Sequence, residues 1–306
     1  MQQEKQMTMG KITVYESISQ FNKLFGIETL HPLISICDAS RVNPVEIEGS
    51  HCYNFYSIFL KDVNCGDLRY GRNYYDYQEG TLVFMAPMQV MSVENQKSEK
   101  PQGWVLMFHP DLLRSTSLGQ NMKKYTFFSY EVNEALHLSE QEREIVINCF
   151  HNIENELRHA MDNNSKDLIV SNLELFLNYS KRFYERQFVT RSHVASDALS
   201  RFERILDDYF HSDLPRRKGI PTAKYCADKM NLSVNYLSDM LRKDTGKSTL
   251  EHIQLRLVEV AKETLLGTQK SVSEVAYELG FEYPQYFSRL FKKRVGMTPN
   301  EYRAAN

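Results

Sequence analysis

Apolar positions change their period part-way along the chain. In the first part they come as short β-branched or aromatic runs bounded by Pro, Gly, Asn or Asp, at 33–37, 53–60, 81–86 and 104–108. Such runs predict strands. Turn chemistry separates them at Gln78-Glu79-Gly80 and at Asn64-Cys65-Gly66-Asp67. Several short strands at close spacing predict a small barrel or sandwich. From Ser139 the period becomes helical. Ser139 and Glu142 have the spacing of a capping box, and Val146, Phe150, Ile153, Leu157 and Ala160 follow at helical intervals. Asn163-Asn164-Ser165 interrupt the pattern, and a second helix then carries Ile169, Leu173, Phe176, Leu177 and Phe183. Two long neighbouring helices after a barrel either cover its open end or pair with another subunit. Residues 189–196 show no periodicity and read as a linker between a first domain, 1–188, and a second, 197–306. Helical patterning resumes near Asp197 and continues almost to the end.

The last third repeats itself. Tyr225-Cys-Ala-Asp-Lys-Met-Asn-Leu232 is answered by Glu274-Val-Ala-Tyr-Glu-Leu-Gly-Phe281. After a turn, Leu237, Ser238, Met240, Leu241, Lys243 and Gly246 are answered by Phe287, Ser288, Leu290, Phe291, Lys293 and Gly296. Each copy predicts a short helix, a tight turn and a longer helix. Ala227 and Ala276 are small where two helices must cross closely. Asn231 and Gly280 stand where a helix ends, and both types tolerate the left-handed backbone needed there. Burying Leu237, Met240 and Leu241 leaves Asn235, Ser238, Asp239 and Arg242 exposed on the first copy, with Lys243 beside them. Burying Phe287, Leu290 and Phe291 leaves Gln285, Ser288, Arg289, Lys292 and Lys293 exposed on the second. This is the pattern of two helix-turn-helix units, whose second helices enter the major groove of DNA. One amphipathic helix over 250–266, with Ile253, Leu257 and Ala261 in a stripe, spans about 25 Å between them. Two reading helices on one face then lie roughly one duplex turn apart.

Charge sharpens this picture. The 306 residues carry a formal net charge of −2. Residues 216–306 hold 16 Lys and Arg against 10 Asp and Glu, a net of +6. The rest of the chain is acidic, so a polyanion partner is expected for the second domain alone. Composition is ordinary for a globular protein, with 42% hydrophobic, 25% charged and 12% aromatic residues. No run approaches the roughly 18 apolar residues of a membrane span, and the polar first residues do not read as a signal peptide. Five cysteines without a C-x-x-C spacing fit a reducing cytoplasm better than a disulfide framework.

The stretch from about Asp197 to Arg303 resembles the DNA-binding domain of the AraC/XylS family of transcriptional regulators. The resemblance is carried by Ser273-Glu-Val-Ala-Tyr-Glu-Leu-Gly-Phe281, Tyr286-Phe-Ser-Arg-Leu-Phe-Lys-Lys293, Gly296-Met-Thr-Pro299 and Glu301-Tyr-Arg303. Asn231-Leu-Ser233, Leu237-Ser238 and Thr245-Gly246-Lys247-Ser248 match the family's first helix-turn-helix. The resemblance implies double-stranded promoter DNA as the partner, read in adjacent major grooves by a regulator that is more often an activator. It also implies a cupin-like β-barrel followed by helices in the first domain, serving a small-molecule effector or a homodimer, with RNA polymerase as a further partner. The fold class expected is therefore α+β. Two departures stand out. Asp239 is acidic where members often carry a basic or amide residue, so it is expected to repel phosphates. Tyr283 precedes Pro284 where members often have a helix-capping Asp or Ser.

The rival reading is a cupin-type enzyme or ligand carrier with a DNA-binding tail. Its chemistry has no motif here. The nine His are scattered without an H-x-H pair, the pattern that metal sites in such barrels usually show. No P-loop, GxGxxG or GxSxG occurs, and no cofactor or enzymatic activity is expected. Aromatics crowd the strand region, and Tyr53, Phe55, Tyr70 and Tyr75 are candidates to line an effector pocket by stacking and hydrogen bonding.

Overall fold

The structure is a computed structural model that describes residues 12–42, 49–61, 67–70, 73–76, 80–94, 102–131, 134–190 and 192–305. The chain divides into two compact units, residues 1–187 and 188–306.

Among the described residues the first unit is built on ten strands: β1 Thr13–Tyr15, β2 Ile34–Asp38, β3 Gly49–Tyr53, β4 Tyr56–Lys61, β5 Asp67–Tyr70, β6 Asn73–Asp76, β7 Thr81–Met85, β8 Val90–Glu94, β9 Gly103–Phe108 and β10 Leu136–His137. They form two five-stranded sheets, ordered β1-β3-β8-β5-β6 and β10-β7-β4-β9-β2. Among the described residues only β1 with β3 is parallel. Among the described residues the sheets stay open, so the expected cupin-like barrel gives way to two sheets. Pairing ends at β1 and β6 in one sheet and at β10 and β2 in the other. The run expected as one strand over 53–60 breaks at Asn54-Phe55, and β3 and β4 go to different sheets.

A short helix, α1 Ile18–Phe25, begins in a capping box of Ser17 and Gln20 and ends on Gly26 in the left-handed region. Ile18 and Phe21 on α1 join Tyr53, Met91, Val83, Met85 and Met107 in one core cluster that draws on both sheets. A five-residue helix follows, α2 Ser117–Asn121. Then come α3 Glu140–Arg158 and α4 Ser165–Thr190. Ser139 and Glu142 form the predicted capping box. These two helices pack within the chain against the other face of the second sheet. Trp104 of β9 meets Phe150 of α3 at 6.1 Å, and Phe84 of β7 stacks on Phe176 of α4 at 6.1 Å. Burial on both faces explains why all five residues of β7 are inaccessible. Arg186 fixes the helix pair with two bonds to Glu142, at 2.7 and 2.8 Å, and a third to the His137 carbonyl.

The second unit is helical: α5 Ser192–Phe210, α6 Leu214–Lys218, α7 Ala223–Met230, α8 Val234–Thr245, α9 Thr249–Gly267, α10 Val272–Glu278, α11 Pro284–Val295 and α12 Pro299–Ala305. Residues 189–196, expected as an aperiodic linker, are helical up to Thr190 and again from Ser192. The core gathers around α9, whose Leu257, Val258, Val260, Ala261 and Leu265 are buried with Tyr209, Phe210, Val275, Ala276, Phe287 and Phe291. Arg303 of α12 donates to the carbonyls of Leu265 and Lys270, at 2.9 and 2.7 Å, satisfying acceptors near the end of α9.

Among the described glycines of this unit, Gly280 has the closest surroundings. Its φ is +92°, and a Cβ there would lie 2.6 Å from the carbonyl carbon of Gly219. Gly246, also left-handed at φ +74°, has open space around it. The two positions separate backbone strain from overlap. Gly280→Ala should destabilise the second unit by roughly 2–4 kcal/mol, combining both costs. Gly246→Ala should cost about 1–2 kcal/mol, from conformation alone. Denaturant unfolding followed by circular dichroism checks this, and equal costs would contradict it.

Candidate nucleic-acid interface

The two repeats fold alike in detail. In the first, Thr222 caps α7 by accepting from the Tyr225 amide, and Cys226, Ala227 and Met230 are buried. Asn231 then turns left-handed at φ 57°, ψ 46°, and the Leu232 amide reaches back to the Ala227 carbonyl at 3.0 Å. In the second, Ser271 and Glu274 box the start of α10, and Val275 and Ala276 are buried. Gly280 makes the left-handed turn, and the Phe281 amide returns to the Ala276 carbonyl at 3.0 Å. Thus Asn and Gly do the same job in the two copies, as their left-handed tolerance predicts.

The second helix of each unit divides into a core face and an open face. On α8, Tyr236, Leu237, Met240 and Leu241 are buried, and Asn235, Arg242 and Lys243 are exposed. Ser238 and Asp239, expected on the open face, are half-buried instead, and Asp239 is not free of neighbours. Four consecutive-turn apolar residues pull that side of α8 inward. On α11, Phe287 and Phe291 are fully buried, Leu290 is half-buried, and Gln285, Arg289, Lys292 and Lys293 are exposed. Ser288 is half-buried, and its hydroxyl donates to the Pro284 carbonyl at 3.2 Å. That bond spends the hydroxyl on its own helix, so Ser288 is a poorer reader than its position suggests. Tyr283 occupies the N-cap of α11 without a side-chain cap, and Pro284 takes the first turn, as expected from residue type. Both long helices end on left-handed glycines, Gly246 and Gly296.

Tyr286, not among the candidates expected from sequence, is 55% exposed and stands three residues before Arg289, the spacing of neighbours on one helix face. That spacing was the available signal. The remaining candidates belong to the first unit. Tyr53 and Phe55 are 3% and 0% exposed. Tyr53 stacks on Tyr15 at 5.4 Å and lies 5.5 Å from the ring of Phe55, and burial pushes its phenol well above the usual range. Both are core packing. Tyr70 and Tyr75 lie on the paired strands β5 and β6, and their side chains fall outside the described residues. Among the described residues, no three His, Cys, Asp or Glu side chains gather as metal ligands would. Cys37, Cys52, Cys149 and Cys226 are free thiols. No described helix is long and apolar enough to cross a membrane.

Residues 226–305 match a family model described as a helix-turn-helix domain. The transcriptional regulatory protein YesN of Bacillus subtilis is 36% identical over 78 residues, 25% of this chain and 21% of that protein. The HTH-type transcriptional activator RhaR of Yersinia pseudotuberculosis is 38% identical over 82 residues, 26% of this chain and 28% of that protein. Over this segment the chain is similar to regulators of the AraC/XylS family. A solved C-terminal domain of the response regulator yesN from Fusobacterium nucleatum is 30% identical, covering 35% of this chain and 98% of that one with a TM-score of 0.31. The chain therefore spans 21% of the YesN and 28% of the RhaR sequences it matches. In AraC/XylS terms, the matched segment holds α8 and α11 complete, with their exposed basic residues.

Three carboxylates hold the starts of α9, α10 and α12. Glu251, Glu274 and Glu301 each accept the amide of the capping residue, Ser248, Ser271 and Thr298, at 2.8, 2.7 and 2.7 Å. Those backbone bonds keep all three carboxyls below the usual Glu range. A depressed folded-state value means stability that is present above the unfolded Glu value, about 4.3, and lost as pH falls through the folded value. The second unit should therefore lose stability on acidification from about pH 5 downward, through the depressed folded-state values of these carboxyls. Replacing all three Glu by Gln keeps the capping box and should flatten that dependence, as urea midpoints against pH would report. An unchanged slope would remove these caps as its source.

Proposed function

We propose that this chain is a cytoplasmic, sequence-specific DNA-binding transcriptional regulator, acting as an activator rather than as an enzyme. One observation carries the reading: two matched helix-turn-helix units pack on the single helix α9, and their second helices present Asn235, Arg242, Lys243, Gln285, Arg289, Lys292 and Lys293 to solvent. Promoter DNA is the partner these side chains suit. Arg289 fits a bidentate contact to guanine O6 and N7, with Gln285 one turn before it. Lys292 and Lys293 suit phosphates. RhaR, a relative of this segment, is named as a transcriptional activator, which supports activation. The strand-rich first unit would then serve a small-molecule effector or a homodimer.

The test is binding of the full chain to duplex DNA across a salt series, followed by sequencing of bound genomic fragments. Affinity should fall steeply between about 50 and 200 mM salt, as counterions released by lysine and arginine contacts require. Arg289→Ala should cost about 1–3 kcal/mol and relax preference at one base pair, while Lys292→Ala should weaken all sequences alike and lower the salt slope by about 1. Absence of DNA binding at low salt would overturn the reading.

A further inference from the structure

The first turn of α11 carries two aromatic rings that the core does not use. Tyr283 and Tyr286 are 48% and 55% exposed, and their rings meet edge to face at 5.9 Å. Phe287 and Phe291 already fill the buried side of this helix. The Arg289 guanidinium carbon lies 5.8 Å from the centre of the Tyr286 ring, within cation–π reach. Arg289 makes no ion pair among the described residues. One spot on the open face of α11 therefore sets an apolar ring beside a free guanidinium, with Gln285 adjoining.

We propose that Tyr286 is a specificity residue whose ring takes the 5-methyl group of a thymine beside the base pair that Arg289 reads. The inference rests on the DNA-binding reading above. In the major groove the thymine methyl is the one apolar feature of a base edge, while cytosine offers an amino donor at the neighbouring position. Three residues of helix advance about 4.5 Å along the axis, close to the 3.4 Å of one base step. A guanidinium forked onto guanine and a ring three residues earlier thus fall on adjacent base pairs. The ring also limits the rotamers open to Arg289, so the two groups read as one unit. The selected step is thymine next to guanine. The tyrosine hydroxyl has no part in this contact, so phenylalanine should serve equally well.

The full chain is first used to select its preferred site from a random duplex library. A thymine should be enriched beside a guanine whose preference disappears in Arg289→Ala. That site is then made with deoxyuridine in place of the thymine, which removes only the methyl group. Wild type and Tyr286→Phe should each bind the deoxyuridine site about fourfold more weakly, the value of one buried methyl. Tyr286→Ala should bind the two sites equally. If no thymine is enriched beside that guanine, or if Tyr286→Ala still distinguishes thymine from deoxyuridine fourfold, the inference is wrong while the regulator reading stands. If wild type enriches no sequence at all, both fall together.

Discussion

The second unit depends on one helix being buried from several sides at once. α9 packs on α5, α8, α10, α11 and α12, and Ile253, Leu257, Val258, Val260, Ala261 and Leu265 are all buried along its length. An amphipathic surface helix buries one stripe and leaves the rest wet. Here the residues that meet the first repeat and those that meet the second belong to the same rigid rod. At 19 residues the rod is about 28 Å long. The spacing between α8 and α11 is thus a property of one backbone, and neither helix can turn without disturbing packing that the other also needs. Close-packed interiors yield in steps rather than continuously, so the pair behaves as a single ruler.

Much of this unit was legible in the sequence because each local rule pointed the same way. Small residues at Ala227 and Ala276, left-handed formers at Asn231 and Gly280, and apolar triplets on α8 and α11 recur at matched spacing. A repeat lets one copy check the other. What escaped was finer than a repeat can show. Ser238 and Asp239 are half-buried because Tyr236 and Met240 flank them and draw that edge of α8 inward. The Ser288 hydroxyl folds back to donate to the Pro284 carbonyl one turn earlier. The openness of Tyr286, beside the core residue Phe287, is not legible from residue type.

The first unit was legible by element and less so by arrangement. β2, β7 and β9 fall within a residue of their expected bounds, since alternating or continuous apolar runs report local burial. Whether strands close into a barrel or stop as two sheets is decided by long-range register, and single-sequence periodicity does not carry it. The break at Asn54-Phe55, which sends β3 and β4 to different sheets, is a case of this: nothing local forbids one long strand there. Tyr53 and Phe55 looked available to a ligand for the same reason. Their burial follows from α1, whose Ile18 and Phe21 cover them, and α1 is too short to announce itself by period.

The division of α11 into a core face and an open face also governs how this protein can change. Phe287 and Phe291 hold the fold, and Gly280 meets Gly219 so closely that no other residue fits without movement. Gln285, Tyr286 and Arg289 carry none of that burden. On the DNA-binding reading proposed above, substitution among these three would alter what is recognised while leaving the scaffold that presents them intact. New operator preferences would then be reachable by single exposed changes, each passing through a folded intermediate, and descendants of this sequence could diverge in target without first losing stability.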